Sequence, residues 1–273
     1  QAEVEKLFVE LVQAGANRAQ LEELFPGLLG GADFELIKQV KLEHRIVPAE
    51  YLWQVGLPRM MASNNWVIAP HRTKSKAAIL SNDPHLEGNR LPNVWHEFIW
   101  KCGERSGAGA GVPGLPGMMV GRNESVGWGA TYTFMDSVDS WIEKVRGSKF
   151  LDHDKKWKAF SIRREIIKRK KKKSEEVVFY ENHRGTVEGD ASGAAEKHLL
   201  STAWSGAGTG VASLRGAMAI PFAKNAKEAM AIAGNLEVSF SWVFADSEGN
   251  IGYQMSGLMP KRVSGWKGFV PLP

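Results

Sequence analysis

The sequence lacks cysteine pairs for disulfide bonds and apolar runs long enough to span a membrane. It contains a single cysteine, Cys102, which excludes an internal disulfide. Without a supporting motif, we interpret this thiol as a buried or half-buried structural residue rather than a nucleophile. No apolar run reaches the length of about 18 residues that a transmembrane helix needs, so we expect no membrane span. No signal peptide is visible, and the chain starts at Gln1 inside a helical pattern. We therefore expect this chain to be a fragment or a processed product.

The chain also lacks a general excess of positive charge, because the excess comes from one segment. The 273 residues include 35 Lys and Arg against 30 Asp and Glu. Six basic residues are consecutive, from Lys168 to Lys173, and without them the counts are 29 and 30. This balance argues against a generally basic nucleic-acid binder. We interpret the run as the solvated tip of a hairpin, with contact to an anionic surface such as lipopolysaccharide or nucleic acid as the alternative.

The composition indicates a globular protein rich in strands and tight turns. Hydrophobic residues make up 43% of the chain and charged residues 24%, and the chain has 10 Trp and 29 Gly. A chain of 273 residues can bury a large core as one domain or as two.

Hydrophobic periodicity predicts helices at the start of the chain and strands afterwards. Residues 4–12 have helical spacing, and Asn17 could cap a second helix over residues 18–25. Residues 30–62 are weakly periodic. We predict a further helix at residues 223–233, a turn at residues 82–85 and a loop at residues 107–111. Strands are predicted at 66–68, 77–80, 94–101, 118–120, 126–133, 138–145, 160–168, 176–180, 239–245 and 251–256.

The segment beginning at Ser63 carries the chemistry. A small residue, Ala62, precedes the serine, and a polar pair and an aromatic, strand-like run follow it. Cleavage of the Ala62–Ser63 bond would give Ser63 a free α-amino group beside its hydroxyl, so that one residue supplies both nucleophile and base. An α-amine has an ordinary pKa near ~7.7–8.0, and much of it can accept a proton near neutral pH. The alternative is an ordinary loop serine.

Three blocks in order give the sequence a specific resemblance. They are SNNWVIAPHRTKSKAAILSNDPHL at 63–86, GLPGMMVGRN at 114–123 followed by GWGAT at 127–131, and FADSEGNIGY at 244–253. This series resembles the penicillin acylase (penicillin amidase) family of N-terminal nucleophile hydrolases. The resemblance implies an α+β, four-layer αββα sandwich of antiparallel sheets, incomplete in this chain. It also implies three regions: the end of a small subunit at 1–40, a spacer at 41–62, and the first part of the catalytic subunit at 63–273.

The resemblance also implies the reaction and its residues. The expected activity is hydrolysis of the amide bond of an N-acylated small molecule, of β-lactam or N-acyl homoserine lactone type, through an acyl-enzyme on Ser63. His85 would orient or tune the serine, with a turn histidine as the alternative. The backbone N–H of Tyr132 would donate to the oxyanion, although the family normally has a small or aliphatic residue there. The family's second donor, an Asn side chain, would lie beyond Pro273.

The acyl pocket and a metal site follow from the same resemblance. Leu86, Val120 and Ala130 fall at acyl-binding positions, and their aliphatic side chains indicate a roomy or aliphatic pocket. The segment from Asp136 to Asp139 resembles the family's calcium segment, in which Asp136, Val138 and Asp139 would supply oxygen ligands. Two solvated aspartates are the alternative. The remaining ligands are expected outside this sequence, and no organic cofactor is implied.

Partners and location are expected from the resemblance as well. We expect a small-molecule N-acyl amide substrate, the remaining parts of the same precursor as partner chains, no nucleic-acid partner, and a periplasmic or extracellular location. One rival is an unprocessed or catalytically silent homologue that only binds ligand. A second rival is an anion-binding surface protein that uses the lysine run.

Overall fold

The computed structural model describes residues 2–43, 62–86, 94–133 and 135–273. The chain divides into two compact units. The first comprises Gln1–Pro58, Asp136–Ser205 and Pro260–Pro273, and the second comprises Arg59–Met135 and Gly206–Met259. No helix in the described part of the chain is both long enough and apolar enough to cross a membrane.

Among the described residues, antiparallel strands dominate both units, and five short α-helices accompany them. The helices are α1 (Ala2–Gln13), α2 (Arg18–Leu24), α3 (Phe34–Ile37), α4 (Val211–Ala219) and α5 (Ala226–Ala233). The strands are β1 (Ala62–Ile68), β2 (Ile79–His85), β3 (His96–Cys102), β4 (Arg105–Gly111), β5 (Val120–Asn123), β6 (Val126–Tyr132), β7 (Val138–Arg146), β8 (Lys149–Leu151), β9 (Trp157–Ala159), β10 (Ser161–Ile167), β11 (Glu175–Asn182), β12 (Gly185–Val187), β13 (Lys197–Trp204), β14 (Phe240–Asp246) and β15 (Ile251–Ser256).

The first unit packs helices α1–α3 against a seven-stranded antiparallel sheet. The strand order is β10-β11-β12-β13-β7-β8-β9. Helix α2 begins where the sequence predicts, because the Asn17 side chain accepts from the N–H of Gln20 and the Gln20 side chain accepts from the N–H of Asn17. A cluster that includes Phe8, Leu21 and Ile142 buries the helices against the sheet. A second cluster around Phe150, Phe160 and Tyr180 fills the other end of the unit.

The second unit has a hairpin, a sheet and helices stacked in that order. The six-stranded antiparallel sheet runs β15-β14-β6-β5-β4-β3, and β1 and β2 form a separate two-stranded sheet. Trp128, Trp242 and Phe244 point from one face of the six-stranded sheet to α5, which meets them with alanines. The hairpin of β1 and β2 contacts β6 and β14 on the opposite face. Since side chains alternate along a strand, β6 and β14 contact α5 with one face and the hairpin with the other.

Three local predictions are wrong. Cys102, expected to be buried or half-buried, is exposed at the end of β3. Residues 107–111 form most of strand β4 rather than a loop. This strand is built from small residues because its neighbours come close; a Cβ on Gly109 would lie under 3.0 Å from the carbonyl oxygen of Val120 and the sulfur of Met118. Residues 82–85 belong to strand β2 rather than to a turn, because their backbone pairs with β1 from Ala62 onward. Pro84 is tolerated there because β2 pairs on one side only.

The basic run lies at the tip of the predicted hairpin. Strands β10 and β11 pair in antiparallel register, from Ser161 opposite Glu181 to Ile167 opposite Glu175. Within the run, Arg169 is half-buried and the five lysines are exposed. The prediction of a solvated hairpin tip is therefore confirmed.

The close contacts of β4 give a test of its packing. We expect Gly109→Ala to destabilise the protein by about 1–3 kcal/mol, because the added methyl group overpacks the sheet. Gly127→Ala is the matched control in β6 of the same sheet, since its Cβ would meet nothing closer than 3.9 Å. Urea unfolding of both variants measures the difference, and an equal stability for the two would contradict this account of β4.

Candidate active site

Ser63 is the second residue of β1 and lies directly opposite Pro84 of β2. It is half-buried on the side of the hairpin that faces the six-stranded sheet. The hydroxyl of Thr131, in β6, donates a hydrogen bond to the carbonyl oxygen of Ser63 at 3.0 Å. The backbone of the predicted nucleophile is thus attached to a central strand of the sheet.

Two asparagine amides hold the hairpin on this sheet. Asn65 and Asn82 are directly opposite one another in the register of β1 and β2. The Asn65 amide donates to the carbonyl oxygen of Ser241 in β14 at 3.0 Å. The Asn82 amide donates to the carbonyl oxygen of Ala130 at 3.0 Å and accepts from its N–H at 3.3 Å. Strand β5 pairs with β6 only at Gly127 and Trp128. At Ala130, which β5 does not reach, the side chain of Asn82 is the hydrogen-bond partner of the main chain.

A glycine allows this close approach. A Cβ added at Gly129 would lie 2.7 Å from the Cβ of Asn82. Such a distance is too short for two carbon atoms, and any side chain at position 129 would push the hairpin away from the sheet. The glycine of the motif therefore has a physical role next to the asparagine pair.

Ser63 opens onto a cavity of about 120 Å³ with mostly apolar walls. The structure brings five predicted site residues together here: Ser63, Leu86, Val120, Ala130 and Tyr132. The other lining residues are Pro84, Val94, Trp95, Val112, Met119, Thr131 and Phe240. An apolar cleft beside the Ser63 hydroxyl suits a substrate with an apolar group next to a polar, reacting bond.

Tyr132 ends β6 at the border of this cavity. Its ring stacks on that of Phe240, its partner across the sheet, with centroids 5.5 Å apart and an angle of 18° between the planes. The aromatic side chain that departs from the family pattern is accommodated by this stacking. The predicted role of its N–H towards an oxyanion stays a prediction.

His85 lies outside the cavity. It is opposite Ala62 in the hairpin, while Ser63 is opposite Pro84, so alternation directs His85 to the other face of the hairpin. Its Nε2 is 2.7 Å from a carboxylate oxygen of Asp83, and both side chains are exposed. The structure does not bring His85 to the serine side chain, and its orienting role also stays a prediction.

Asp136, Val138 and Asp139, the predicted calcium ligands, belong to the first unit, where the two carboxylates meet Arg262. The guanidinium binds Asp139 through Nε at 3.0 Å and Nη2 at 2.8 Å. Nη2 also lies 2.9 Å from Oδ1 of Asp136. The alternative of two solvated aspartates does not describe this region, because Asp139 is buried.

A third carboxyl group, Glu5 of α1, is buried beside these aspartates. Only 1% of its surface is exposed. Burial raises the pKa of Glu5 to about 8; the nearby Ser140 side chain opposes this shift, and the charges of Asp139 and Asp136 add to it. Burial is also the largest cause of a raised pKa at Asp136, with Arg262 opposing it. Carboxylates and a main-chain carbonyl are the oxygen donors that suit Ca²⁺, so these residues fit such an ion, with Arg262 as its competitor.

Comparison with known proteins accounts for these features together. The family model described as penicillin amidase matches residues 2–273. The chain belongs to the penicillin amidase family. The family match thus includes both the strand that carries Ser63 and the helix that carries Glu5.

Two relatives show how far this similarity reaches. An acyl-homoserine lactone acylase of Pseudomonas aeruginosa is 30% identical over 226 residues, which are 78% of this chain and 26% of the relative. The penicillin G acylase of Escherichia coli is 30% identical over 219 residues, 77% of this chain and 25% of the relative. The chain therefore spans about a quarter of the length of the curated relatives it matches.

A solved structure confirms the predicted fold class of this family member. A thermostable penicillin G acylase from Alcaligenes faecalis superposes with a TM-score of 0.69 at 25% identity, covering 76% of this chain and 38% of that structure. The mostly antiparallel sheets with few helices agree with the N-terminal nucleophile hydrolase fold expected from the three sequence blocks.

Several residues around these candidate sites were not predicted from the sequence. Asn65 and Asn82 stood in the recognised block, but only the strand register shows that they pair. Glu5 had a detectable signal, since it is an acidic residue among apolar neighbours of an amphipathic helix. Arg262 had none, because more than 120 residues separate it from the aspartates it binds.

The raised pKa of Glu5 predicts a pH-dependent stability. A carboxyl group that titrates near 8 in the folded chain and near 4.5 unfolded stabilises the fold below pH 4.5, and this stabilisation is lost as the pH rises towards 8. Glu5→Gln removes the titration. Its stability relative to the natural protein should rise between pH 5 and 8 by up to about 1.4 kcal/mol per pH unit.

Thermal unfolding over that pH range measures the effect. Glu10→Gln, an exposed substitution on the same helix, is the control and should leave the pH profile unchanged. Parallel profiles for Glu5→Gln and the natural protein would show that the Glu5 carboxyl does not titrate in this range.

Proposed function

We propose that Ser63 is the nucleophile of an amidohydrolase that cleaves the amide bond of an N-acylated small molecule. The observation that carries the proposal is the position of Ser63 in an apolar cavity with Leu86, Val120 and Ala130. Family membership supports it, and two relatives are named as acylases. This activity belongs to the whole protein, of which the chain spans a part.

The reaction begins with cleavage of the Ala62–Ser63 bond, which frees the α-amine of Ser63. The Ser63 hydroxyl attacks the amide carbonyl while its proton passes to that amine. The tetrahedral oxyanion accepts a hydrogen bond from the N–H of Tyr132, and one such donor typically contributes about 10²–10³ in rate. The amine product takes the proton and leaves an ester on Ser63. Water then attacks this acyl-enzyme, and the acid is released with the serine restored.

The residues that line the cavity indicate the kind of acyl group that it binds. Its walls around Ser63 are mainly aliphatic, with Trp95, Tyr132 and Phe240 as aromatic members. An aliphatic or otherwise flexible acyl chain gains from burial here at roughly 0.8 kcal/mol per CH₂ group. We propose an N-acyl homoserine lactone or a β-lactam amide as the class of substrate.

Maturation and location complete the proposal. Residues 1–40 would end a small subunit, residues 41–62 would form a spacer, and residue 63 would start the catalytic subunit. The spacer and residues 87–93 lie largely outside the described residues, as does residue 134. The partners would be the remaining parts of the same precursor, and the mature protein would be periplasmic or extracellular.

N-terminal sequencing and intact mass of the full-length protein test the role of Ser63. We expect a polypeptide that begins Ser-Asn-Asn-Trp-Val, and an activity on N-acyl amides that falls by at least about 10⁴-fold in Ser63→Ala. The exposed Ser75→Ala is the control and should be cleaved and active. A natural protein that stays as uncut as Ser63→Ala would favour the silent, ligand-binding homologue.

We also propose that Asp136, Asp139 and the Val138 carbonyl hold Ca²⁺, with Glu5 close to them. A bound cation would stabilise the ionised carboxylates and fix the start of β7 against α1, which is a structural role. No step of the hydrolysis passes through it.

Thermal unfolding with and without Ca²⁺ tests this site. At 100 times the dissociation constant, calcium should stabilise the folded protein by about 2.7 kcal/mol. Asp139→Asn should weaken the response, whereas Asp154→Asn, in a turn elsewhere in the same unit, should not. An unfolding temperature that does not respond to Ca²⁺ would mean that Arg262 alone neutralises the aspartates.

A further inference from the structure

Two turns of the seven-stranded sheet bring together a group of side chains that the proposed hydrolysis does not use. Asp152 and His153 follow β8, in the turn that leads to β9. His183 lies in the turn between β11 and β12. Although about 30 residues separate the two turns in sequence, one ligand atom from each of the three side chains falls within 4.8 Å of the others.

The spacing of these atoms suits a small metal ion. Nδ1 of His153 is 2.9 Å from Oδ1 of Asp152, and Nε2 of His183 is 3.7 Å from the same oxygen. Tetrahedral Zn²⁺ has ligands at about 2.0–2.2 Å, which places neighbouring ligand atoms roughly 3.4 Å apart. The observed separations lie on either side of that value, so small side-chain rotations would complete the geometry.

The two oxygens of Asp152 have different partners. Oδ2 accepts from Lys158 at 2.6 Å, while Oδ1 faces the histidines and accepts from the main-chain N–H of His153 at 2.8 Å. Arg184 reaches Oδ1 only at 3.4 Å, and its Nε is 2.9 Å from Glu143. The carboxylate is therefore oriented before any ligand binds.

Exposure and charge also favour a cation. The Asp152 side chain is only 3% exposed, whereas His153 and His183 are 79% and 54% exposed, so the imidazoles can rotate around a fixed carboxylate. The ring of Phe150, 5.9 Å from that of His183, limits how far the latter moves. Three carboxylates face two permanent cations around the site, which leaves one negative charge in excess: Asp152, Asp154 and Glu143 against Lys158 and Arg184.

We propose that Asp152, His153 and His183 form a zinc site, with a fourth position open to water. Two imidazole nitrogens and one carboxylate oxygen are ligands for zinc and similar transition metals, whereas calcium prefers oxygen donors alone. The main-chain N–H of His153 and the ammonium group of Lys158 orient the carboxylate from behind, as outer-shell partners commonly do. This site is separate from the proposed calcium ligands and independent of the activity of Ser63.

Calorimetric titration of the metal-free, full-length protein with Zn²⁺ tests the site. The proposal predicts one zinc bound at these residues, with an affinity at least about tenfold lower in His153→Ala and in His183→Ala. The double variant should lose this binding. Substitution with Co²⁺ gives a second readout, because nitrogen and oxygen ligands in a tetrahedral site produce an intense visible spectrum that the double variant should lack.

Two controls make the result specific. His71→Ala removes an exposed histidine elsewhere in the chain and should bind zinc as the natural protein does. Excess Ca²⁺ should not displace the zinc. Both histidines are exposed, so their removal should not impair folding, which circular dichroism checks. Equal zinc affinity in the natural protein and the double variant, or no zinc binding by the natural protein, would overturn the proposal.

Discussion

The hydrogen bonds of Asn65 and Asn82 to the six-stranded sheet are the constraint on which the candidate active site depends. A two-stranded hairpin is at best marginally stable in water by itself. Here its inner face is attached by side-chain amides to main-chain groups of β6 and β14. The bonds lie two residues along the strands from Ser63 and from Pro84 opposite it, so they set the distance of the serine from the sheet. Gly129 is required because the Asn82 side chain occupies the space above it.

This arrangement gives the nucleophile a rigid background. Hydrogen bonds between buried polar groups contribute only about 0.5–1.5 kcal/mol each, but an unpaired buried amide costs more than that. The asparagine pair therefore disfavours other registers of the hairpin. Thr131 adds a bond to the carbonyl oxygen of Ser63 itself. The serine backbone is therefore fixed to β6, the strand that supplies Ala130, Thr131 and Tyr132 to the cavity wall.

The first unit buries several carboxyl groups near its sheet. Removing an ionised carboxylate from water is costly unless a counter-charge or hydrogen bonds compensate it. Asp139 is compensated by Arg262, and Asp152 by Lys158. Glu5 has Ser140 and two acidic neighbours, so burial leaves its carboxyl protonated at neutral pH. The same unit therefore contains two carboxylates with a counter-charge and one buried carboxyl group without one. A bound cation would stabilise the ionised form of the latter most.

Local patterns in the sequence determined much of this structure. Helices α1 and α2, the capping box at Asn17, the hairpin under the lysine run and most strands could be predicted because they depend on periodicity and nearby turn residues. The motif around Ser63 also indicated the family and the residues of one pocket. Tertiary structure decided the rest. Strand β4 looked like a loop because its small residues show no strand pattern, and only the packing shows that Met118 and Val120 come too close for larger ones. Strand β2 looked like a turn because of its Asn-Asp-Pro sequence, and only its pairing with β1 shows that it is extended. The position of His85, the meeting of Arg262 with Asp139, and that of His183 with Asp152 follow from strand register and packing, which bring together residues that no local pattern connects.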